Sequence, residues 1–457
     1  MVREIIKRDG RKTSFELEKI ANAIFKAAES VGGHDYQMAL ELAHQVEASL
    51  EAERTEEPPT VEYIQDMVEK VLVKNGHART AKKYILYRNE RTRVREMNTR
   101  LMKVYEDLTF QSSLENDIKR ENANIDGDTA MGTMLKYGSE GAKQFYEMFI
   151  LDPEHSKAHR EGDIHIHDLD FLTLTTTCCQ IDLLKLFSGG FSTGHGFLRE
   201  PNDIRSYAAL ACIAIQANQN DQHGGQSVPN FDYSMAPGVR KTYRKLYRQN
   251  LVKAIEVYAD REDAEQIAAR LSETVENQTG RCAVVAADNG YDEAVEQALI
   301  AEFGEETARR CMRFVKKYAG RETRKATYQA MEALVHNLNT MHSRAGAQIP
   351  FSSINYGTDT SPEGRLVTEN VLLATEAGLG NGETSIFPIH IFKVKDGINF
   401  NESEPNYDLF KLACRVSAKR MFPNFSFLDA PFNLPYYKPG HPETEAAYMG
   451  CRTRVIA

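Results

Sequence analysis

Two modules are what this sequence predicts, the second and larger of them in the α/β class. Three observations carry that expectation. From about residue 115 onward, short runs rich in β-branched, aromatic and threonine residues alternate with helical stretches, each run ending in a polar or glycine-rich turn. The first 97 residues differ, with one hairpin pattern followed by helical patterns only. At 457 residues, 42% hydrophobic and 26% charged, the chain has globular composition and is too long for one ordinary domain.

In the first module, EIIKRDGRKTSF reads as strand, turn, strand, with Asp9-Gly10 as a hairpin-type turn. FELEKIANAIFKAAESVG follows as a helix closed by Gly32-Gly33, then DYQMALELAHQVEASLEAE. TVEYIQDMVEKVLVKNG opens on Thr60 as N-cap and ends at Gly76. The last helix, ARTAKKYILYRNERTRVREM, is strongly basic. Lys7, Arg8, Arg11 and Lys12 surround the glycine turn and Lys19 follows on the first helix, a set suited to a polyphosphate.

In the second module the strand-like runs are DIHIHDLDFLTLTTTCCQIDLL, AQIPFSSINYG, TSIFPIHIFKVK and FPNFSFLDA, separated by helices such as RSYAALACIAIQANQ and ATYQAMEALVHNLNTMH. Their alternation fits an open sheet or a barrel. Residues 260–320 form a charged helical insertion, expected to be peripheral.

The net charge of −9 argues against a protein that lives on nucleic-acid backbone. No apolar run approaches the ~20 residues of a membrane span, and MVREIIKRDGRK lacks the apolar region of a signal peptide. A cytoplasmic location is expected, with no nucleic-acid or membrane partner. Seven cysteines without CxxC spacing make a disulfide framework or a zinc knuckle unexpected. Cys212 and Cys414, in helical contexts, read as small buried hydrophobes.

Four polar constellations remain. HIHDLD, 165–170, would put His165 and His167 on one face of an extended run and Asp168 on the other. Without a third ligand of suitable spacing, hydrogen bonding in a polar cavity is expected rather than a metal. Cys178 and Cys179 would face opposite sides of a strand. NQNDQHGGQSVPNFDY, 218–233, reads as a loop offering many donors, and GLGNGETS, 378–385, as a glycine-rich loop offering amides to phosphate. Near the end, MGCRTRV sets Cys451 between a glycine and two arginines, an exposed loop-tip context.

KRDGR, EKI, TVEYIQDMVEKVL and GHARTAKKYILYR together resemble the ATP-cone, the regulatory nucleotide-binding module of ribonucleotide reductases. The resemblance implies ATP as activator and dATP as inhibitor. Lys7, Arg8 and Lys19 match phosphate and nucleotide contacts, Ile5 the base side, and Arg11 and Thr60 accompany them. DIHIHDLDFLTLTTTCCQIDLL, NDQHGGQSVPNFDY, HSRAGAQIPFSSINYG, GNGETSIFPIHIF and MGCRTRV resemble the anaerobic (class III) ribonucleoside-triphosphate reductases, which are glycyl-radical enzymes. That likeness implies the N-terminal part of a ten-stranded α/β barrel, truncated, over residues 98–457, preceded by the cone at 1–97, and a reductase acting on ribonucleoside triphosphates.

Within that family a loop enters the barrel and presents a cysteine. Cys451 matches it, and its thiyl radical would abstract the 3′-hydrogen of the ribose. Gly450 and Thr453 flank it near the substrate. Cys178 or Cys179 would supply reducing equivalents on the other ribose face, with Cys178 favoured. His165 or His167 would sit near the 2′-hydroxyl. Met449 matches the subtype that uses formate as reductant, and Gly382, Glu383, Thr384 and Ser385 are candidates near the substrate phosphates. A radical S-adenosylmethionine activase and a homodimer or higher oligomer controlled by dATP are implied partners.

The family's glycyl-radical motif and four-cysteine zinc site have no counterpart in these 457 residues. The expectation is a piece of a longer polypeptide or one half of a split enzyme. The alternative is a nucleotide-sensing protein with a catalytically incomplete body.

Overall fold

The computed structural model describes residues 3–8, 10–53, 57–110, 129–174, 177–285, 289–342, 344, 347–451 and 453–455. Two compact units divide the chain, residues 1–112 with 143–153, and residues 113–142 with 154–457.

In the first unit β1 (Glu4–Ile6) pairs antiparallel with β2 (Lys12–Ser14), and Gly10 turns the hairpin at φ 78°. Helices α1 (Leu17–Glu29), α2 (Tyr36–Ala52), α3 (Val61–Lys74) and α4 (Ala78–Phe110) follow. Asp35 and Thr60 cap α2 and α3, accepting from the Met38 and Tyr63 amides at 3.0 and 3.2 Å. Ala21, Ile24, Val46, Val68 and Leu72 recur at helical spacing and are buried together as this unit's core.

The second unit's first segment runs to Ala142, within α5 (Ala130–Phe145), and the unit resumes at Glu154 in α6 (Pro153–Glu161). Then come β3 (Thr177–Gln180), α7 (Leu183–Phe187), the hairpin β4 (Phe191–Ser192) and β5 (Phe197–Leu198), α8 (Ile204–Asp221), β6 (His223–Val228) and α9 (Phe231–Ala259). Helices α10 (Ala264–Thr279), α11 (Tyr291–Phe303) and α12 (Glu305–Thr340) lead to β7 (Ser352–Tyr356). Next are α13 (Pro362–Ala377), β8 (Ile389–Val394), α14 (Tyr407–Arg420) and β9 (Asn424–Phe427). A last hairpin pairs β10 (Ala447–Tyr448) with β11 (Arg454–Val455).

Five strands form one all-parallel sheet in the order β3-β6-β7-β8-β9. Parallel neighbours need long crossovers, and the helices supply them. One face, with Val228, Ile354, Tyr356, Phe392 and Val394, packs into the apolar core built with α8, α9, α12 and α13. The other face carries Ser227, Ser353, Asn355 and Lys393, all buried yet polar. A buried polar face needs partners for its hydrogen bonds, and here the β10–β11 hairpin supplies them.

The α/β class is as the sequence predicts, and among the described residues the main parallel sheet has five strands, as part of a larger barrel would. Several local expectations are corrected. His223–Val228, read as loop, is a central strand, because its amides and glycines sit inside the sheet rather than in solvent. His165 and His167 lie in a turn leading to a single 3₁₀ turn at Leu169–Phe171, not in a strand. Residues 260–320 are helical but not peripheral. Helix α12 runs unbroken to Thr340, and Cys311, Met312 and Val315 sit in the main core. Cys212 is buried as expected, whereas Cys414 is exposed on the outer face of α14. Among the described residues no helix is long and apolar enough to cross a membrane.

Candidate active site at the tip of the terminal hairpin

Residues 449–453 join β10 to β11 as a tight tip, closed by the Met449 amide donating to the Thr453 carbonyl at 2.9 Å. The sheet's polar face holds this hairpin. Asn355 accepts from the Tyr448 amide at 2.9 Å and donates to the Tyr448 carbonyl at 3.0 Å. Ser227 donates to the same carbonyl at 3.0 Å, and Ser353 accepts from the Gly450 amide at 2.8 Å. A Cβ at position 450 would lie 2.3 Å from Ile389 Cδ1 and 3.1 Å from Ser353 Oγ, so the close approach favours glycine, the larger residue displacing the movable end of Ile389. Met449 is buried, and Arg454 donates to the Phe432 carbonyl at 2.6 Å, fixing the returning strand.

The tip delivers Cys451 to Cys178. Cys178 sits where the β3–β6 register shifts, with φ at 66°, a conformation that side chains other than glycine adopt only at a cost. Its Sγ accepts from the Gly225 amide at 3.3 Å and stands within hydrogen-bonding reach of the Cys451 thiol. Gly224, at φ 88°, makes room, since a Cβ there would meet Thr177 Cγ2 at 2.9 Å and Cys178 Sγ at 3.1 Å. Cys179 turns away, takes a hydrogen bond from Asn218 at 3.0 Å and packs against the core.

The two facing thiols depart from ordinary values in opposite directions. Burial pushes Cys178 up, and the adjacent Cys451 and Asp168 add to this, against the Gly225 amide. For Cys451, partial burial is outweighed by hydrogen bonds from Thr453, Oγ1 at 3.3 Å, and from Cys178, leaving the thiol below the usual range. One half-buried and one exposed thiol lying together form a pair able to give up two electrons by joining as a disulfide.

Around them, Asp168 lies 3.1 Å from His223 Nε2 and 3.6 Å from His167 Nδ1. Phe171 stacks on His223 with centroids 3.8 Å apart. His165 and His167 are exposed, their rings 5.9 Å apart. His223 was not singled out in the sequence, because its partner Asp168 is distant along the chain. The glycine-rich loop before β8 runs into Ile389, the residue beneath Gly450. Within it Arg420 takes the Gly382 carbonyl at 2.8 Å and approaches Thr384 Oγ1 at 3.4 Å, while Glu383 accepts from the Asn381 amide and side chain. Ser385 is buried, and its hydroxyl has no partner.

In the first unit Arg8 pairs with Glu62 and donates to Gln65 at 3.1 Å. The Ile6 amide donates to Pro59 O at 3.0 Å, so the strand carrying Ile5, Lys7 and Arg8 meets the N-terminus of α3. Such a terminus beside cations suits an anion. Thr60 is occupied as its cap, Lys19 pairs with Glu16 at 2.8 Å, and Arg11 O accepts from the Lys7 amide at 2.8 Å. Elsewhere, a cavity of about 980 Å³ is lined on the helix side by Arg324, Arg365 and Arg415, each paired with a carboxylate.

A helix-backed parallel sheet whose polar face receives a cysteine-bearing hairpin near a second cysteine defines an α/β protein with two thiols brought together from distant parts of the chain. Residues 121–457 match the family described as anaerobic ribonucleoside-triphosphate reductase, and residues 3–93 match the ATP cone domain. The chain belongs to the anaerobic ribonucleoside-triphosphate reductase family. It is 28% identical to the Haemophilus influenzae anaerobic ribonucleoside-triphosphate reductase, over 98% of this chain and 54% of that one. It is also 28% identical to the Salmonella typhimurium enzyme of the same name, over 93% and 51%. The chain spans about half the length of these curated relatives. A solved structure, the anaerobic ribonucleotide reductase from Thermotoga maritima in complex with dATP and CTP, aligns over 74% of this chain and 50% of that one. Its TM-score is 0.41 at 12% identity.

Proposed function

We propose that this chain carries the substrate-facing thiols and the nucleotide-sensing module of an anaerobic ribonucleoside-triphosphate reductase. The contact between Cys451 and Cys178 is the observation that carries the reading. Cys451, as a thiyl radical, takes the 3′-hydrogen of the ribose: an S–H bond forms and a C3′–H bond breaks. The 2′-hydroxyl then leaves as water, and Cys178 on the opposite side returns reducing equivalents, with formate as the final reductant. The radical comes from a glycyl residue outside these 457 residues, generated by a radical S-adenosylmethionine activase. Zinc, where the family has it, also belongs outside them.

His167, beside Asp168, is the better placed of the two turn histidines to meet the departing hydroxyl. Ser385, Thr384, Glu383 and Gly382 line the approach of the triphosphate, a role supported by the unpartnered Ser385 hydroxyl. In the cone, Ile5, Lys7, Arg8, Arg11 and Lys19 receive ATP as activator or dATP as inhibitor. Dimerisation responds to dATP, and the protein works in the cytoplasm. The test is Cys451→Ala in the complete enzyme: deoxynucleotide formation is abolished while calorimetric binding of ATP persists. Full turnover by that variant overturns the reading.

A further inference from the structure

Six residues before Cys451, Glu445 is 5% exposed and its carboxylate lies 2.8 Å from the ammonium of Lys393, which is 0% exposed near the C-terminal end of β8. Every strong contact of the pair is specific. Lys393 Nζ also donates to Asn230 Oδ1 at 2.5 Å, Thr358 Oγ1 donates to Glu445 Oε2 at 2.8 Å, and Asn230 Nδ2 donates to Pro442 O at 2.9 Å. Asp232, accepting from the Gly357 and Asp359 amides at 2.8 and 3.0 Å, adds a second buried carboxylate nearby.

Burying two ions costs several kcal/mol each, and an apolar pair of similar volume is often at least as stable. Stability is therefore a poor reason for this pair. What an ion pair adds is register, because its attraction and hydrogen bonds are satisfied in one alignment only. Register matters acutely here. Gly450 is the only glycine between Tyr448 and Thr453, and a one-residue slip would drive the Cβ of Met449 or Cys451 into Ile389 and Ser353. It would also turn the tip's side chains to the opposite face.

We propose that Lys393 and Glu445 are positioning residues, a buried register lock that holds the terminal hairpin where Cys451 meets Cys178. The inference rests on the reading of those two thiols as the reacting pair. Its test needs no turnover. The chain is treated with diamide, which takes up two hydrogens as two thiols join, and the Cys178–Cys451 disulfide is followed by peptide mass. Melting temperature is recorded in parallel.

In the double variant Lys393→Met/Glu445→Leu the fold keeps a melting temperature close to that of the unmodified chain, while cross-linking slows about tenfold. A double variant of unchanged stability that cross-links at the original rate overturns the lock and leaves the two-thiol site intact. Should that variant fail to fold, Thr358→Val removes one hydrogen bond to Glu445 and slows cross-linking about threefold. An unchanged rate in that variant overturns the lock equally. If the unmodified chain gives no Cys178–Cys451 disulfide at all, the site reading and the lock both fall.

Discussion

Cys178, at the irregular start of β3, and Cys451, at the tip of the terminal hairpin, share a contact that moves their thiols in opposite directions. Burial dominates at Cys178, whereas hydrogen bonds from Thr453 and Cys178 outweigh burial at Cys451. Because the thiolate is the nucleophile, Cys451 should react with iodoacetamide faster than Cys178 near neutral pH, and as pH is raised its rate should begin to climb at a lower pH than that of Cys178. Peptide mass spectrometry over a pH series reads both rates. The reverse order would mean that the tip does not present its thiol as described.

At Gly450 the constraint is space rather than backbone conformation. Gly450→Ala presses a methyl group on Ile389 Cδ1, the movable end of a side chain, so a loss of about 1 kcal/mol is expected. Ile389→Val removes the clashing carbon and should recover most of that loss in the double variant. Urea titrations of the four proteins in the cycle measure the coupling, and purely additive effects would refute the contact.

His390 gives the fold a pH dependence. It is fully buried between Tyr356 OH at 3.0 Å and Thr375 Oγ1 at 3.2 Å, and burial pushes its ring down to about 3 from 6.5. A folded value below the unfolded one means stability that is present above 6.5 and lost as pH falls towards 3. The slope is at most about 1.4 kcal/mol per pH unit. Asp232, pushed up to about 6 by burial and then by Asp359, acts in the opposite sense. Its contribution is present below the unfolded value of 3.8 and lost as pH rises through 6. Urea titrations of the protein and of His390→Gln at several pH values isolate the histidine, whose variant should lack the acid loss.

In the cone, two substitutions separate binding from folding. Lys7→Ala should weaken ATP and dATP by roughly 1.5–3 kcal/mol in calorimetry, through loss of a charge-assisted phosphate contact. Thr60→Ala removes the cap of α3 and should lower the cone's stability by about 1 kcal/mol. If Thr60→Ala changed affinity and left stability unaltered, Thr60 would be a nucleotide contact rather than a cap.

Much of this architecture was legible before any coordinates. Thr60 precedes apolar periodicity and caps the helix that follows, and Gly10 turns the hairpin, because these are local signals. Four of the five sheet strands stood out as β-branched or aromatic runs. The fifth, His223–Val228, did not, because glycine and amide side chains score as loop. Its strand character comes from pairing on both sides with β3 and β7. Cys414 shows the same limit in reverse: helical spacing identified its helix but not which face was covered.

The sequence by itself determined most element types and the oddity of a cysteine between Gly450 and Arg452, since these follow from periodicity, composition and turn chemistry within a few residues. Only the tertiary structure decided that Cys178 rather than Cys179 faces Cys451, that Asp168 bridges towards His223, and that Lys393 is buried against Glu445. Each depends on a register: a one-residue shift between β3 and β6, with the extra residue on β6, or the seating of a hairpin on a sheet face. Register is set by packing between segments far apart in the chain, which no local pattern encodes.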